Sequence, residues 1–212
     1  MIALPQDVAF IIHKIEKAGF EAFAVGGCIR DSLLSRIPND WDITTSELPE
    51  QVKALFPHTI DTGIKHGTVT VMCHHVGYEV TTYRIDGEYE DGRHPKQVVF
   101  TPSLIEDLKR RDFTINAMAY NDSRGLVDAF EGQQDLQKGV IRAVGEPEKR
   151  FSEDALRIMR AVRFAAQLGY TIEEETEAAM CRLSDTLTKI SAERIQVELV
   201  KLLVSDHPGH MK

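Results

Sequence analysis

The chain contains few cysteines, and their spacing offers no covalent or metal-bound framework. Its 212 residues include only Cys28, Cys73 and Cys181, an odd number without any C-x-x-C spacing. This pattern excludes a disulfide scaffold and shows none of the spacings typical of zinc sites. Unpaired thiols suit a reducing compartment, so the sequence predicts a cytoplasmic protein.

Long apolar runs and an excess of positive charge are also missing. The stretch from Met1 to Phe20 carries Asp7, Lys14 and Glu16 among its apolar residues, so it lacks a signal-peptide core, and no membrane partner is expected. The formal net charge of −8 argues against a surface that is basic throughout. RNA contacts must therefore come from local clusters. Two are present, namely Lys109–Arg111 and the series Arg142, Lys149, Arg150, Arg157, Arg160 and Arg163.

The periodicity of apolar residues divides the chain into two parts. Short runs rich in Val, Thr and Tyr alternate with amphipathic stretches in the first part, which predicts a mixed sheet covered by helices. A polar, glycine-containing segment over 86–95 predicts an exposed loop. Beyond Phe151, three helical stretches follow over 153–168, 173–187 and 192–204. We therefore expect an α/β head over 1–148 and a helical neck over 149–212.

Two carboxylates stand two positions apart in a segment that is predicted to be a strand. On an extended strand, Asp40 and Asp42 would point to the same face. Mg²⁺ prefers a few carboxylates completed by phosphate oxygens, and two such ions can activate a hydroxyl and hold a leaving pyrophosphate. Glu79, on the following hairpin, is a candidate third carboxylate. A glutamate that simply faces solvent from a strand explains Glu79 equally well.

Two segments could bind phosphates. Gly26-Gly27 lies where a predicted strand turns into a helix, so backbone N–H groups there could receive phosphate oxygens, and Arg30 would add a charged fork. Ordinary turn chemistry explains the glycines as well. Arg111 could bind a triphosphate or a ribose, or could flank a helix cap formed by Asp112.

The stretch from Glu153 to Arg163 places charges at helical spacing. Asp154 and Arg157 are predicted i,i+3 neighbours, and a surface ion pair is the simplest interpretation. Hydrogen-bond chemistry offers another. Cytosine and adenine present an exocyclic amino donor beside a ring-nitrogen acceptor, whereas uracil and guanine present an oxygen beside an N–H. A carboxylate next to a guanidinium matches the first pair of bases and rejects the second.

Six motifs, in order, resemble those of the class II tRNA nucleotidyltransferases, of the Bacillus type of CCA-adding enzyme, within the tRNA nucleotidyltransferase/poly(A) polymerase family. They are GGCIRD, NDWDITTS, DTGIKHGTV, YEVTTYRIDGEYEDGRHP, EDLKRRDFTINAMA and RFSEDALRIMRAVRF. The resemblance runs from the first helix to the end of the chain. It implies an α+β fold, with a polymerase-beta-like nucleotidyltransferase palm built on a mixed sheet and followed by an all-helical neck.

The same resemblance assigns roles to the candidate residues. Implied ligands of two Mg²⁺ ions are Asp40 and Asp42. Implied triphosphate or ribose contacts are Gly27, Arg30 and Arg111. The implied amino-acid template for C and A comprises Asp154 and Arg157, supported by Arg160 and Arg163. The implied reaction is template-independent addition of C, C and A to the 3′ end of tRNA from CTP and ATP, with release of pyrophosphate.

The chain departs from the family pattern in two respects. The family loop usually reads D-G-x-Y-x-D-x-R-R-P, and here His94 replaces the second arginine. The family's body and tail domains are expected to follow the neck and to be absent from these 212 residues. Poly(A) polymerases and enzymes that add only CC or only A share the motifs, so they remain alternatives. A non-catalytic RNA- or nucleotide-binding module is the alternative from another class, although it would not need paired metal ligands.

Overall fold

The computed structural model describes residues 2–87 and 98–210, in which strands dominate the first part and helices the second. The chain divides into two units. The head unit comprises Met1–Asp86, Val98–Arg110 and Asn116–Phe130. The neck unit contains Arg111–Ile115 and Glu131–Lys212, so it begins before the predicted neck. The division into domains near residue 148 stays a prediction.

Seven strands of the head unit form one mixed sheet. Their bounds are Ala22–Val25 (β1), Asp42–Thr45 (β2), Thr59–Gly63 (β3), Thr68–Cys73 (β4), Val76–Thr82 (β5), Met118–Asn121 (β8) and Gly125–Asp128 (β9). The spatial order is β3-β4-β5-β2-β1-β8-β9. Only β2 and β5 pair in parallel, and the other neighbours in this sheet are antiparallel. The predicted mixed sheet is therefore confirmed.

Local sequence explains the hairpin between β4 and β5. Both strands are rich in β-branched residues, and the two-residue connection is His74-His75. These histidines have φ angles of 48° and 67°. Positive φ at both central residues is the geometry that matches the right-handed twist of paired strands. A separate antiparallel pair is formed by Arg84–Asp86 (β6) and Val98–Phe100 (β7).

Four helices of the head unit lie against its strands. They are Gln6–Lys17 (α1), Pro49–Leu55 (α3) and Leu104–Lys109 (α4), with Gly27–Leu33 (α2) directly after β1. The first buries Val8, Ile11, Ile12 and Ile15, one apolar stripe at helical spacing. Leu104 and Leu108 of α4 belong to a buried cluster with Phe23, Val25, Tyr83 and Ala119. Each fully buried side chain of this size contributes about 1.5–3 kcal/mol, so these stripes hold the helices in place.

The neck unit is mainly helical. Its helices are Gly132–Lys138 (α5), Pro147–Glu153 (α6), Leu156–Leu168 (α7), Glu174–Leu183 (α8) and Ala192–Leu203 (α9). Two short strands, Val140–Ile141 (β10) and Thr171–Ile172 (β11), pair in parallel. The expectation of an all-helical neck therefore needs a small correction at β11. Two residues of strand give too short a periodicity for a sequence pattern to predict.

One predicted helix of the neck is broken. The sequence predicts a continuous helix over 153–168, but α6 ends at Glu153 and α7 starts at Leu156. Asp154 lies between them with φ −147° and ψ 104°, an extended conformation. Its Oδ1 accepts a hydrogen bond from the Leu156 N–H at 3.0 Å. The aspartate therefore caps the start of the next helix, a role that competes with helix continuation.

The predicted loop over 86–95, including His94, lies mostly outside the described residues. Within the described ranges, no helix combines the length and the apolar character that crossing a membrane requires.

A buried carboxyl group follows β2. Glu47 is 1% exposed, and its Oε2 has no hydrogen-bond partner among the described residues. Its backbone is held firmly, because its N–H donates to Thr45 Oγ1 at 3.0 Å and its carbonyl accepts from Thr82 Oγ1 at 2.7 Å. Burial raises the pKa of the Glu47 carboxyl from 4.5 to about 7.

We expect Glu47→Gln to make stability less dependent on pH. Since the pKa is raised in the folded state, the folded chain holds this proton more tightly, and stability falls as pH rises from 4.5 to about 7. Glutamine cannot ionise. The free energy of unfolding of Glu47→Gln minus that of wild type should therefore be larger at about pH 8 than at about pH 5, as measured by urea titration.

Glu50→Gln is the matched control, since Glu50 is exposed on α3. It should show no comparable trend. An equal difference between Glu47→Gln and wild type at both pH values would mean that Glu47 titrates like an exposed carboxyl.

Candidate functional site

The two paired carboxylates lie at the start of β2. Asp42 is the first residue of the strand, whereas Asp40 precedes it, and both residues are exposed. The prediction that both occupy a strand is therefore wrong for Asp40. Asp42 pairs with Val25, the last residue of β1. The antiparallel register thus brings Asp42 beside the point where the chain leaves β1 for the Gly26-Gly27 turn.

Glu79 lies next to Asp42 across the parallel pair. Ile43 pairs with Val80, and Asp42 and Glu79 immediately precede these two residues. Residues level with each other on neighbouring strands point to the same face. Glu79 is exposed. The structure thus places Glu79 beside Asp42 without assigning it a ligand role.

The carboxylates Asp40 and Asp42 suit a metal ion whose coordination would be completed by the substrate. Among residues 2–87 and 98–210, no group of three or more His, Cys, Asp or Glu side chains is arranged to hold a metal ion. Asp40 and Asp42 offer two exposed, hard carboxylates. Mg²⁺ is commonly bound by one or two carboxylates together with substrate phosphates, so these residues fit such a site and do not form an all-protein cage.

The turn between β1 and α2 is open at the backbone. Gly26 has φ 86° and ψ −132°, which side-chain-bearing residues rarely adopt, and its N–H donates to the Met118 carbonyl at 3.1 Å. Gly27 begins α2. A Cβ added at Gly27 would meet Arg30 Nη2 at 3.6 Å, an ordinary contact. Packing within the chain therefore does not require glycine at position 27, and its lack of a side chain leaves the helix start accessible.

Arg30 is held by two partners in the head unit. Its Nε and Nη2 donate to the two carboxylate oxygens of Asp31 at 2.9 and 3.0 Å. Its Nη1 donates to Asn116 Oδ1 at 2.7 Å. The side chain is 12% exposed. Asn116, which sequence reasoning did not assign to the site, therefore helps to orient the predicted phosphate-binding arginine.

Arg111 belongs to a segment of the neck unit. Phe113 is fully buried and meets Phe164 edge to face, with ring centroids 5.8 Å apart. The Thr114 N–H donates to the Arg142 carbonyl at 3.0 Å, and the Asp112 carbonyl accepts from the Val144 N–H at 3.0 Å. Arg111 itself is partly buried at the start of this segment. Its backbone neighbours are thus tied to neck residues.

Asp154 is paired with Arg194 and not with Arg157. Arg194 of α9 donates from Nη2 to Asp154 Oδ2 at 2.7 Å and from Nη1 to Oδ1 at 3.3 Å. The predicted i,i+3 ion pair with Arg157 is therefore wrong for this conformation. The cause is the break between α6 and α7, which removes Asp154 from the helix that carries Arg157.

Arg157 is anchored by the end of α6. Its Nη1 donates to Glu153 Oε2 at 2.8 Å and to the Arg150 carbonyl at 3.0 Å. Its side chain is 11% exposed. The two predicted template residues are thus held independently, each by a partner of opposite charge.

Arg160 pairs with Asp112 inside the neck unit. Its Nη2 and Nε lie 2.6 and 2.7 Å from Asp112 Oδ2. The charge of Asp112 raises the pKa of the Arg160 guanidinium, although burial opposes that shift. This ion pair joins α7 to the segment that contains Arg111.

Arg163 forms a buried ion pair with Glu198 of α9. The two side chains are only 7% and 6% exposed. Burial lowers the pKa of the Arg163 guanidinium, and the hydrogen bond and charge of Glu198 oppose that shift. Arginine keeps its charge in proteins, so without Glu198 the Arg163 guanidinium would be a buried charge that lacks its carboxylate.

Sequence reasoning missed the carboxylates and the arginine that hold the predicted template. Glu153 could have been identified from the sequence, since it stands four residues before Arg157 at helical spacing. Arg194 and Glu198 were not, because 40 and 35 residues separate them from their partners. A single sequence carries no signal for such long-range pairs.

We expect Glu198→Ala to destabilise the chain by about 3 kcal/mol, because it leaves the Arg163 guanidinium buried without its carboxylate. Glu193→Ala on the exposed part of the same helix should cost under about 1 kcal/mol. Urea denaturation of both variants measures the difference. Equal small losses would mean that Arg163 finds water or another acceptor when Glu198 is removed.

Two protein-family models match most of the chain. A family described as "Poly A polymerase head domain" matches residues 22–142, which is more than half of the chain. A second, described as "Probable RNA and SrmB- binding site of polymerase A", matches residues 169–211. The two matches cover parts of the head unit and of the neck unit.

Two curated relatives of this chain are CCA-adding enzymes. The enzyme of Leuconostoc mesenteroides subsp. mesenteroides is 54% identical over 95% of this chain and 51% of its own length. That of Lactiplantibacillus plantarum is 54% identical over 93% of this chain and 49% of its own length. The chain thus spans about half the length of the curated relatives that it matches.

Solved structures agree in fold. The CCA-adding enzyme of Bacillus stearothermophilus in complex with CTP superposes with a TM-score of 0.87 at 47% identity, covering 95% of this chain and 49% of that one. The Thermotoga maritima CCA-adding enzyme complexed with tRNA superposes with a TM-score of 0.81 at 26% identity, covering 99% and 50%. The nucleotidyltransferase fold that the sequence predicts is therefore confirmed.

Proposed function

We propose a function from one premise: the chain belongs to the tRNA nucleotidyltransferase/poly(A) polymerase family, whose head-domain pattern matches more than half of it. The proposed reaction is the addition of C, C and A to the 3′ end of tRNA from CTP and ATP, with release of pyrophosphate. One observation supports this proposal. The β1–β2 register sets the exposed Asp42 beside the Gly26-Gly27 turn, so the residue proposed as a metal ligand adjoins the backbone proposed to receive phosphates.

In the proposed step, the 3′-hydroxyl oxygen of the tRNA attacks the α-phosphorus. A new P–O bond forms, the bond to the bridging oxygen breaks, pyrophosphate leaves and the hydroxyl proton passes to solvent. Asp40 and Asp42 would hold Mg²⁺, which supplies Lewis-acid activation of the hydroxyl and charge neutralisation on the phosphates. Metal dependence is expected for this family, and Mg²⁺ is the ion that the carboxylate donors favour. Glu79 is a candidate third carboxylate.

Triphosphate contacts are proposed for Gly27, Arg30 and Arg111. At Gly27 the missing side chain lets phosphate oxygens approach the N–H groups of the helix start. Arg30 is fixed by Asp31 and Asn116, which reduces the entropy lost when it binds a phosphate. Arg111 would supply a further guanidinium to a triphosphate or ribose.

Base selection is proposed for Asp154 and Arg157, with Arg160 and Arg163 in support. The carboxylate would accept from the amino group that only C and A present at this edge, and the guanidinium would donate to the ring nitrogen. Because each is anchored by its own partner, neither depends on the other for its orientation. Preorganised groups of this kind discriminate by leaving a wrong base unpaired.

The cytoplasm is the proposed compartment, since none of the cysteines Cys28, Cys73 and Cys181 forms a disulfide. Poly(A) polymerase activity and addition of CC or A alone are the related alternatives. A non-catalytic RNA- or nucleotide-binding module is disfavoured by the pair of exposed carboxylates, which such a module does not need.

The test is transfer onto tRNAs that end before CCA, within it and one nucleotide short of it, with each labelled nucleoside triphosphate supplied separately. Products resolved at single-nucleotide length should show C, C and A added in order and then termination. We expect Asp42→Ala to lower transfer by several orders of magnitude with the fold intact, because one carboxylate cannot position the metal for in-line attack. Asp40→Ala should behave alike.

Different product patterns separate the alternatives. Repeated addition of A would indicate a poly(A) polymerase, and addition of CC or A alone a split-function enzyme. Binding of nucleotide without any transfer would indicate the non-catalytic module. Near wild-type transfer by Asp42→Ala would exclude the two-carboxylate assignment. Asp61→Ala is the matched control, since Asp61 is an exposed aspartate of β3.

The second functional prediction concerns the base. Asp154→Ala should reduce the preference for CTP and ATP over UTP and GTP about 10- to 100-fold, since it deletes a charged hydrogen bond and the repulsion of a carbonyl oxygen. Arg157→Ala should relax selection in the same direction. The ratio of kcat/KM values for CTP and UTP measures this effect independently of any general slowing.

Asp185→Ala, an exposed substitution elsewhere in the neck unit, should leave that ratio unchanged. A proportional loss for all four nucleotides in Asp154→Ala would show that Asp154 only pairs with Arg194 and caps α7.

A further inference from the structure

A fully buried carboxylate lies in the head unit outside the residues assigned to the reaction. Asp107 is 0% exposed and lies in α4, between the apolar residues Leu104 and Leu108. Leu104 and Leu108 pack against Phe23 and Val25 of β1. A carboxylate at such depth is costly unless several donors meet it. Its partners therefore indicate what it holds together.

Asp107 joins three elements of the head unit. Its Oδ2 lies 3.1 Å from the hydroxyl of Thr44, which is in β2. Its Oδ1 accepts from the Arg84 backbone N–H of β6 at 3.3 Å and from Arg110 Nε at 2.9 Å. Arg110 also lies 3.7 Å from a carboxylate oxygen of Asp86, at the end of β6. One side chain thus ties β2, β6 and the chain after α4 together.

Thr44 and Asp42 share a face of the sheet. They stand two residues apart in β2, and their partners in β1 are Phe23 and Val25, which also stand two apart. Since α4 packs on Phe23 and Val25, Asp107 approaches β2 from the face that carries Asp42. The buried carboxylate of Asp107 therefore binds β2 at Thr44, two residues from the proposed metal ligand Asp42.

We propose that Asp107 is a positioning residue for Asp42: through Thr44 it fixes the start of β2 relative to α4 and β6. This inference rests on the proposed function, because it assigns the metal to Asp42. Asp42 itself is exposed and only begins the strand, so its position depends on the neighbouring residues of β2. A displacement of about 1 Å in a catalytic group lowers rates by about two orders of magnitude.

A carboxylate is the group that this position requires. Both of its oxygens accept, and its charge complements the Arg110 guanidinium. An amide of the same size would lack the charge that faces the Arg110 guanidinium. Its N–H₂ group would face either the N–H of Arg84 or the Thr44 hydroxyl, whose proton would then turn to the Thr81 carbonyl at 3.2 Å. Asp107→Asn would therefore keep the volume of the side chain and disturb one of its links.

The experiment compares Asp107→Asn and Thr44→Val with wild type. Mn²⁺ binding in the presence of CTP and without acceptor RNA, followed by electron paramagnetic resonance, should weaken about tenfold in each variant, as expected for loss of a charged hydrogen bond. At saturating metal, kcat for C addition should fall about tenfold while KM for CTP changes less than about twofold. The double variant should be no worse than Asp107→Asn alone.

Two matched substitutions separate positioning from a general effect on stability. Thr44→Ser keeps the hydroxyl and should restore Mn²⁺ binding. Thr81→Val removes the hydroxyl of the neighbouring residue in β5, which pairs with Thr68 Oγ1 at 3.0 Å and not with Asp107. It should leave both Mn²⁺ binding and kcat unchanged.

Variants at Asp107 and Thr44 that lower the melting temperature yet keep wild-type Mn²⁺ affinity and kcat would overturn the positioning role. A wild-type chain that neither binds Mn²⁺ with CTP nor transfers nucleotides would instead contradict the proposed function, and this inference with it. The two failures are thus distinguished by the behaviour of the wild type.

Discussion

The antiparallel pairing of β1 with β2 is the constraint on which the head unit depends. It sets Val25 opposite Asp42, so the strand that ends in the glycine turn meets the strand that begins with a carboxylate. The parallel pairing of β2 with β5 then brings Glu79 level with Asp42. A slip of one residue would turn every β2 side chain to the opposite face. Asp42 and Thr44 would then turn together to the other face of the sheet, and Asp107 would lose its partner.

Burial of charge organises the neck unit in a different way. Arginines of α7 are each held by a carboxylate, Arg160 by Asp112 and Arg163 by Glu198, and Asp154 before this helix is held by Arg194. Such pairs add little net stability, because desolvation offsets most of the attraction. Removal of one partner is nevertheless costly. The arrangement therefore favours one set of side-chain orientations, which suits groups that are proposed to distinguish bases by hydrogen bonding.

The two units differ in how their proposed functional residues meet solvent. Asp40 and Asp42 are exposed, and a bound substrate would complete their coordination. Arg157 is largely buried and already anchored by Glu153, and Asp154 is held in the same way by Arg194. A nucleotide base that binds these two residues must share their hydrogen-bonding capacity with the present partners. The two exposed carboxylates of the head would thus gain new neighbours on binding, whereas Asp154 and Arg157 of the neck already have charged partners.

Local properties of the sequence determined much of this protein. Runs rich in Val, Thr and Tyr were enough for the mixed sheet and the β4–β5 hairpin, and helical periodicity for α9, since these depend on neighbours within a few positions. The motifs around Gly27, Asp42 and Asp154 were sufficient for the family. Tertiary structure alone decided which charges pair. Asp154 meets Arg194 instead of Arg157, because the chain adopts an extended conformation at Asp154 and α9 packs on α7. Asp107 reaches Thr44 across 63 positions for the same reason: contacts between distant segments depend on packing, and periodicity carries no record of them.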